Sequence, residues 1–168
     1  MKKPKIIILD DSPIVCGMVK HILESKFDAL IFTFTNTEKI TEYLLREADV
    51  ILIDYYLGNE EDSNNSNGLN FLKKINLMNI NAKKIIFSGQ KDLDLAVSTI
   101  REGAIDYIDK NHDNFLEALE SSIENVLDFK QTNDSQEKIH TNFKLDNAQF
   151  IMLLGVSAVL ILAILFIK

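Results

Sequence analysis

The sequence predicts an α/β fold with a doubly wound parallel sheet, followed by a separate apolar segment near the C-terminal end. Over residues 1–130, short apolar runs rich in β-branched residues alternate with stretches of helical periodicity. Four of these runs are followed directly by an aspartate or a serine. Residues 150–167, in contrast, contain no charged side chain. The chain therefore divides into a globular α/β part and a tail of different character.

Five segments are predicted to form strands that are buried on both faces. Such strands need apolar side chains at consecutive positions, because helices cover both sides of a parallel sheet. The first segment, Ile6–Leu9, consists of three isoleucines and a leucine. The others are Ala29–Phe32, Val50–Ile53, Lys84–Phe87 and Asp106–Ile108.

Helical patterns lie between and after these segments. Ser12 and Pro13 are typical of an N-cap and a first helical position. The helix that follows is expected to bury its apolar residues, which are Ile14, Val15, Met18, Val19, Ile22 and Leu23. Further helices are predicted over residues 37–47, 69–78 and 93–102, the last with Gly103 as a left-handed C-cap. A fifth is expected from about Asp113, burying Phe115, Leu116, Leu119, Ile123, Val126 and Leu127.

Charge and cysteine content exclude several classes of protein. The net charge of -7 lies in residues 1–130, because the remainder carries equal numbers of basic and acidic residues. No Lys/Arg cluster follows the first five residues, which argues against a nucleic-acid partner. The single cysteine, Cys16, excludes an intramolecular disulfide and is expected to be a small buried residue.

The uncharged segment 150–167 is predicted to be a transmembrane helix. A helix of this length would be about 27 Å long, close to the hydrocarbon thickness of about 30 Å. Residues 131–149 are mostly polar and are expected to form a linker, as a flexible tether or a continuous helix. No signal sequence is available before Asp10, so we expect residues 1–130 in the cytoplasm and a single-pass C-terminal anchor in the cytoplasmic membrane. The alternative is that 150–167 is a core helix of the globular part.

The residues that end the predicted strands indicate a magnesium and phosphoryl-transfer site. Ligands of open parallel sheets bind beyond the carboxyl ends of the strands. At these ends lie three acidic positions, Asp10, Asp11 and Asp54, together with Ser88 and Lys110. The Asp10–Asp11 pair alone could simply cap the first helix. Three carboxylates at one edge repel one another and favour a hard cation such as Mg²⁺, while the hydroxyl and ammonium suit a phosphoryl group. One carboxylate could then act as nucleophile and form an aspartyl phosphate.

The order of these residues along residues 1–130 resembles the receiver domain of two-component response regulators. The matching pattern is an acidic pair after the first strand, Asp after the third, Ser or Thr after the fourth, and an aromatic residue followed by Lys around the fifth. Here these are Asp10, Asp11, Asp54, Ser88, Tyr107 and Lys110. The resemblance implies a flavodoxin-like sheet of strand order 2-1-3-4-5 with flanking helices.

The same resemblance implies a role for each matching residue. Asp54 would be the phosphoacceptor, with Asp11 and Asp54 as direct Mg²⁺ ligands, the Tyr56 carbonyl completing the site and Asp10 acting through water. Lys110 would pair with the phosphoryl oxygens, and Ser88 would move to hydrogen-bond them. Tyr107 would rotate as Ser88 shifts, changing the surface of the fourth helix, fifth strand and fifth helix.

Three features depart from the family pattern. The usual Pro after the acceptor is absent, and Asp54 is followed by Tyr-Tyr-Leu-Gly. The loop over residues 55–67 is longer than usual and acidic, which favours a solvated insertion over an active-site role. Asn111 follows Lys110 where the family usually has a cis-bonded Pro. A cis bond before Asn would cost about 3 kcal/mol, so either the bond is trans or strain is stored there.

The predicted function is therefore a membrane-tethered receiver rather than a conventional enzyme. It would accept a phosphoryl group on Asp54 from a histidine kinase or His-phosphotransfer protein, catalyse its own transfer and hydrolysis, and signal to an unknown downstream protein. An alternative is a non-phosphorylated receiver-like scaffold that recruits a partner to the membrane. A haloacid-dehalogenase-type phosphatase is disfavoured, because it requires Asp-x-Asp where this chain has Asp10-Asp11-Ser12.

Overall fold

The computed structural model of the chain describes residues 2–58, 68–90 and 92–128. By internal contacts the chain divides into two units, Met1–Leu127 and Asp128–Lys168. All of the described residues except Asp128 belong to the first unit. The fold described below is therefore that of the first unit.

Five parallel strands form one sheet in the order β2-β1-β3-β4-β5. This confirms the α/β class and the flavodoxin-like order. The central strands β1, β3 and β4 consist almost entirely of buried residues, as their apolar runs predict. The strands are β1 (Lys5–Leu9), β2 (Leu30–Phe34), β3 (Val50–Asp54), β4 (Lys83–Ser88) and β5 (Asp106–Asp109).

Helices follow the strands in alternation. They are α1 (Pro13–Lys26), α2 (Glu42–Glu47), α3 (Gly68–Leu77), α4 (Leu93–Arg101) and α5, described over residues 115–128. Ser12 caps α1 by accepting a hydrogen bond from the Val15 N–H, with Pro13 in the first turn, as predicted. Gly103 adopts the left-handed conformation expected after α4, with φ +92°.

The core consists of two layers, one on each face of the sheet. Alternate residues of β1 point to opposite faces, so Ile6 and Ile8 contact one layer and Ile7 and Leu9 the other. The first layer packs against α1 and α5, and the second against α2 and α3. Because both faces are covered, the polar ends of the strands are left at the sheet's edges.

Two expectations about the helices are wrong. The second helix begins at Glu42 rather than near residue 37, because the Thr41 side chain accepts the Leu44 N–H and acts as the N-cap. In α1, Ile14 is 82% exposed and Met18 43% exposed, although both were expected to be buried. Only the face that carries Cys16, Val19 and Leu23 is turned towards the sheet.

The predicted linker 131–149 and transmembrane helix 150–167 lie outside the described residues. Within 2–58, 68–90 and 92–128, no helix has both the length and the apolar character needed to cross a membrane.

Candidate phosphoryl-transfer site

The three predicted acidic residues meet at the carboxyl ends of the sheet's central strands. Asp10 follows β1, Asp54 ends β3, and Asp11 begins the loop towards α1. One carboxylate oxygen from each of them lies within 4.8 Å of the others. Asp10 and Asp54 are buried, whereas Asp11 is exposed. The cluster is therefore open to solvent on the side of Asp11.

Lys110 reaches the same cluster from the residue directly after β5. Its ammonium lies 2.6 Å from Asp10 Oδ2 and 2.8 Å from Asp54 Oδ1, which makes it a bridge between the two buried carboxylates. It also lies 4.4 Å from the centre of the buried Phe87 ring, an arrangement that attracts a cation to the ring face. The Lys110 ammonium thus contacts two buried carboxylates, and the exposed Asp11 carboxylate lies close by.

The acidity of the predicted acceptor is changed mainly by its burial. Burial raises the pKa of Asp54 to about 6, although the hydrogen bond and charge of Lys110 act in the opposite direction. The neighbouring Asp10 charge adds to the increase. A carboxylate in this environment gains from any further positive charge brought to it.

Backbone N–H groups hold each carboxylate in place. The Ser12 N–H donates to Asp10 Oδ1 at 2.8 Å, and the Gly58 N–H donates to Asp11 Oδ2 at 3.2 Å. The Tyr56 N–H donates to the Asp54 carboxylate, so the backbone of residue 56 borders the site. The loop after β3 thereby folds back towards the loop after β1.

The two predicted switch residues, Ser88 and Tyr107, both contact Gln90 in the loop after β4. Ser88, at the end of β4, is fully buried, and its hydroxyl accepts the Gln90 N–H at 3.2 Å. The Tyr107 hydroxyl donates to the Gln90 carbonyl at 2.7 Å. The Tyr56 hydroxyl donates to Gln90 Oε1 at 2.8 Å. Gln90 therefore joins Ser88, Tyr107 and Tyr56.

The bond between Lys110 and Asn111 is trans, because the described residues contain no cis peptide bond. The structure therefore decides between the trans bond and the strained cis bond, the two possibilities that the absence of Pro left open. The Asn111 side chain donates to the Gly89 carbonyl, and its N–H donates to Asp109 Oδ1 at 2.8 Å.

Sequence reasoning missed Gln90, Gly58 and the Phe87 ring. Gln90 and Gly58 lie in loops whose path depends on the assembled sheet, and nothing in their sequence context marks them. Phe87 carries a weak signal, because it directly precedes the predicted site residue Ser88. Its apolar context, however, is equally typical of a core residue.

The remaining candidates are only partly described. Most of the long acidic loop, residues 59–67, lies outside the described residues. Cys16 is buried as predicted, and burial raises the pKa of its thiol, which argues against thiolate chemistry. His21 and His112 are exposed, whereas His140 falls outside the described residues.

The cluster fits a magnesium ion by the chemistry of its donors. Its donors are carboxylate oxygens from three residues, which are the ligands that Mg²⁺ prefers. The open side at Asp11 leaves room for the water molecules that Mg²⁺ retains.

The sequence comparisons agree with the geometry. Residues 6–123 match the family model described as the response regulator receiver domain. The chain is 28% identical over 121 residues to the chemotaxis protein CheY of Listeria monocytogenes, which covers 70% of this chain and 97% of that protein. It is 27% identical over 123 residues to the nitrogen assimilation regulatory protein NtrX of Azorhizobium caulinodans. That match covers 72% of this chain but only 26% of NtrX.

Solved structures show the same fold. One is a CheY-like response regulator receiver domain protein from Methanospirillum hungatei, with a TM-score of 0.64 and 22% sequence identity. The superposition covers 79% of this chain and 99% of the other.

Proposed function

Because the chain belongs to the response regulator receiver domain family, we propose that it accepts a phosphoryl group on Asp54 in the presence of Mg²⁺. Members of this family are phosphoacceptor signalling domains rather than conventional enzymes. The observation that carries the proposal is the position of the Lys110 ammonium, within 2.8 Å of Asp54 and 2.6 Å of Asp10 at the three-carboxylate cluster. The phosphoryl donor would be a histidine kinase or a His-phosphotransfer protein.

The chemistry follows from the charges at the site. Asp10, Asp11, Asp54 and the Tyr56 carbonyl would hold the cation, Asp10 through water, and bound Mg²⁺ supplies positive charge to the phosphoryl oxygens. An Asp54 carboxylate oxygen forms the new bond to phosphorus as the bond from phosphorus to the donor nitrogen breaks. The nitrogen keeps that electron pair. Lys110 balances the charge of the transferred group, and the Ser88 hydroxyl donates a hydrogen bond to it. Water would later hydrolyse the acyl phosphate.

Phosphorylation would alter the surface formed by α4, β5 and α5. Ser88 and Tyr107 both contact Gln90, so a movement of the Ser88 hydroxyl towards Asp54 changes the support of Tyr107. On α4, Leu93, Val97 and Ile100 are exposed at helical spacing. A downstream protein would recognise this apolar stripe in one of the two states.

Phosphodonor labelling tests the proposal. The full chain, incubated with labelled acetyl phosphate and Mg²⁺, should incorporate an alkali-labile acyl phosphate, and the Asp54→Asn variant should incorporate none. Asp28→Asn is the matched control, because Asp28 is an exposed carboxylate paired with Lys3 and distant in sequence from the site. Equal labelling of the parent and the Asp54→Asn variant would refute phosphorylation of Asp54, and no labelling of either chain would favour a non-phosphorylated scaffold.

We further propose that residues 150–167 anchor the protein in the cytoplasmic membrane, with residues 131–149 as the linker and residues 1–130 in the cytoplasm. The support is the absence of any charge over 150–167. The full chain should sediment with membranes and resist alkaline extraction. A chain ending at Gln149 should be found in the supernatant and keep its Mg²⁺-dependent labelling. Aggregation or loss of folding in the shorter chain would instead assign 150–167 to the core.

A further inference from the structure

Three consecutive carbonyls, at the last residue of β4 and the two residues after it, accept hydrogen bonds from β5 and the residues that follow β5. We call residues 88–90 the switch loop. The Ser88 carbonyl accepts the Lys110 N–H at 2.7 Å, and the Gln90 carbonyl accepts the Tyr107 hydroxyl at 2.7 Å. Between them, the Gly89 carbonyl accepts the Asn111 side-chain amide. The switch loop is therefore held at every residue.

The hydrogen bond from Asn111 to the Gly89 carbonyl depends on the asparagine side chain. Any residue other than Pro at position 110 would supply the backbone N–H that donates to the Ser88 carbonyl. The donor to the Gly89 carbonyl, in contrast, must be a side chain with an N–H or O–H. Asn111 also donates its backbone N–H to Asp109 Oδ1. A Pro at this position could make neither bond, because it lacks both donors.

Asn111 links the segments that carry Ser88 and Lys110, the two side chains that would contact a phosphoryl group. Ser88 and Asp109 are register partners at the end of the β4–β5 pair. The Asn111 backbone is tied to Asp109, while its side chain is tied to the switch loop. Lys110 lies between these two attachments and extends its ammonium to Asp54.

We propose that Asn111 is a positioning residue that holds the switch loop against residues 109–111. Ser88 and Lys110 are then presented to the phosphoryl group on Asp54 as one preorganised unit. The contribution of Asn111 to that reaction rests on the proposed function, whereas its contact with the loop does not. A hydrogen bond of ordinary net strength changes an equilibrium roughly two- to tenfold, which sets the size of the expected effects.

Asn111→Leu is the test variant, because leucine has nearly the shape of asparagine and no donor. Asn111 is exposed, so the substitution leaves the core intact. Asn114→Leu is the matched control. Asn114 is also exposed and lies in the same loop, and its side chain makes no hydrogen bond to residues 88–90 within the described ranges.

Amide hydrogen exchange of the metal-free full chain tests the contact itself. The Gln90 N–H, which donates to Ser88 Oγ, should exchange roughly two- to tenfold faster in Asn111→Leu and at the parent rate in Asn114→Leu. An unchanged Gln90 rate in Asn111→Leu would overturn the proposal, whether or not the protein is phosphorylated.

A comparison of two binding affinities tests the role of Asn111 in phosphoryl recognition. With Mg²⁺ present, Asn111→Leu should bind beryllofluoride, a stand-in for the phosphoryl group, roughly two- to tenfold more weakly. Its affinity for Mg²⁺ alone should be unchanged, because Asn111 contacts none of the three carboxylates. An equal loss of both affinities would indicate general structural damage and overturn the proposal. Failure of the parent to bind beryllofluoride would refute the proposed function instead, with hydrogen exchange still deciding whether Asn111 holds the loop.

Discussion

The carboxyl ends and the amino ends of the parallel strands, here called the carboxyl edge and the amino edge of the sheet, carry similar charged groups but pair them differently. The carboxyl edge is formed by Asp10, Asp11, Asp54 and Lys110, and the amino edge by Lys2, Lys5, Glu47 and Asp49. At the amino edge, Glu47 contacts two ammonium groups, at 2.9 Å and 3.1 Å. At the carboxyl edge, a single ammonium serves two buried carboxylates.

The pKa values of the two edges shift in opposite directions. Hydrogen bonds and charge from Lys2 and Lys5 lower the pKa of Glu47 to about 2. Burial raises that of Asp54 to about 6 despite its contact with Lys110. A contact with lysine therefore does not by itself decide how acidic a carboxyl group is. The amino edge pairs its carboxylate with two ammonium groups, whereas the carboxyl edge leaves negative charge that the cation of the proposed function would compensate.

Removing the central lysine of each edge should show the largest difference. Lys110→Met leaves the buried Asp10 and Asp54 without their ammonium, and we expect a loss of about 3 kcal/mol in the free energy of unfolding at pH 7. Lys5→Met is the matched change, because the two lysine side chains are similarly exposed, 17% and 16%. Its loss should be much smaller, since Glu47 remains partly in water and keeps Lys2.

Urea denaturation of the metal-free full chains provides the measurement. Equal losses for Lys110→Met and Lys5→Met would contradict the difference between the edges.

Neutralising Asp54 should increase stability. Because the pKa of Asp54 is higher in the folded state than its ordinary value of 3.8, the folded protein binds more protons than the unfolded chain between about pH 4 and about pH 6. The free energy of unfolding contributed by Asp54 therefore falls as pH rises through this window. Without Mg²⁺, Asp54→Asn should be about 2 kcal/mol more stable than the parent at pH 7.

The advantage of Asp54→Asn should shrink towards pH 4, where the parent carboxyl is protonated in the fold. Thermal or urea denaturation in a chelator at several pH values checks this. An Asp54→Asn variant less stable than the parent at pH 7 would show that the Asp54 charge is fully compensated.

The smallest effect is expected at Glu47, and its sign is reversed. Its lowered pKa means that the charged form stabilises the fold above about pH 4.5, and that this contribution is lost as pH falls towards about 2. Glu47→Gln should be slightly less stable than the parent at neutral pH, and the two should converge near pH 2. Added salt should reduce the difference. A difference in the free energy of unfolding between Glu47→Gln and the parent that stays constant from neutral pH to about pH 2 would contradict this role of the Glu47 charge.

Much of the fold could be predicted because the central strands carry a strong local signal. The three isoleucines of β1 and the apolar run of β3 required burial on both faces, and the acidic residues then had to fall at one edge. The start of α2 was missed because its N-cap, Thr41, lies inside the apparent helical period, and the helix begins only after it. The exposure of Ile14 and Met18 was missed because hydrophobicity alone does not show which face of α1 meets the sheet.

Within the site, the residues at strand ends could be predicted, whereas the loop contacts could not. Asp10, Asp54 and Lys110 lie where the strand pattern places them. The bonds from Asn111 to Gly89 and from Tyr56 to Gln90 join residues far apart in sequence, and they exist only after the strands have paired. Asn111 was noticed from the missing Pro, but its partner could not be inferred.

The binding of Mg²⁺ to the full chain, followed residue by residue through backbone amide chemical shifts, tests the central claim most directly. We predict shifts at the amides that border the carboxyl edge, including Ser12, Tyr56 and Gly58, and unchanged amides at Lys5 and Asp49. Asp11→Asn should weaken this binding, whereas Glu47→Gln should leave it intact. Shifts of similar size at both edges, or none at the carboxyl edge, would contradict the assignment of the carboxyl edge as the cation and phosphoryl site.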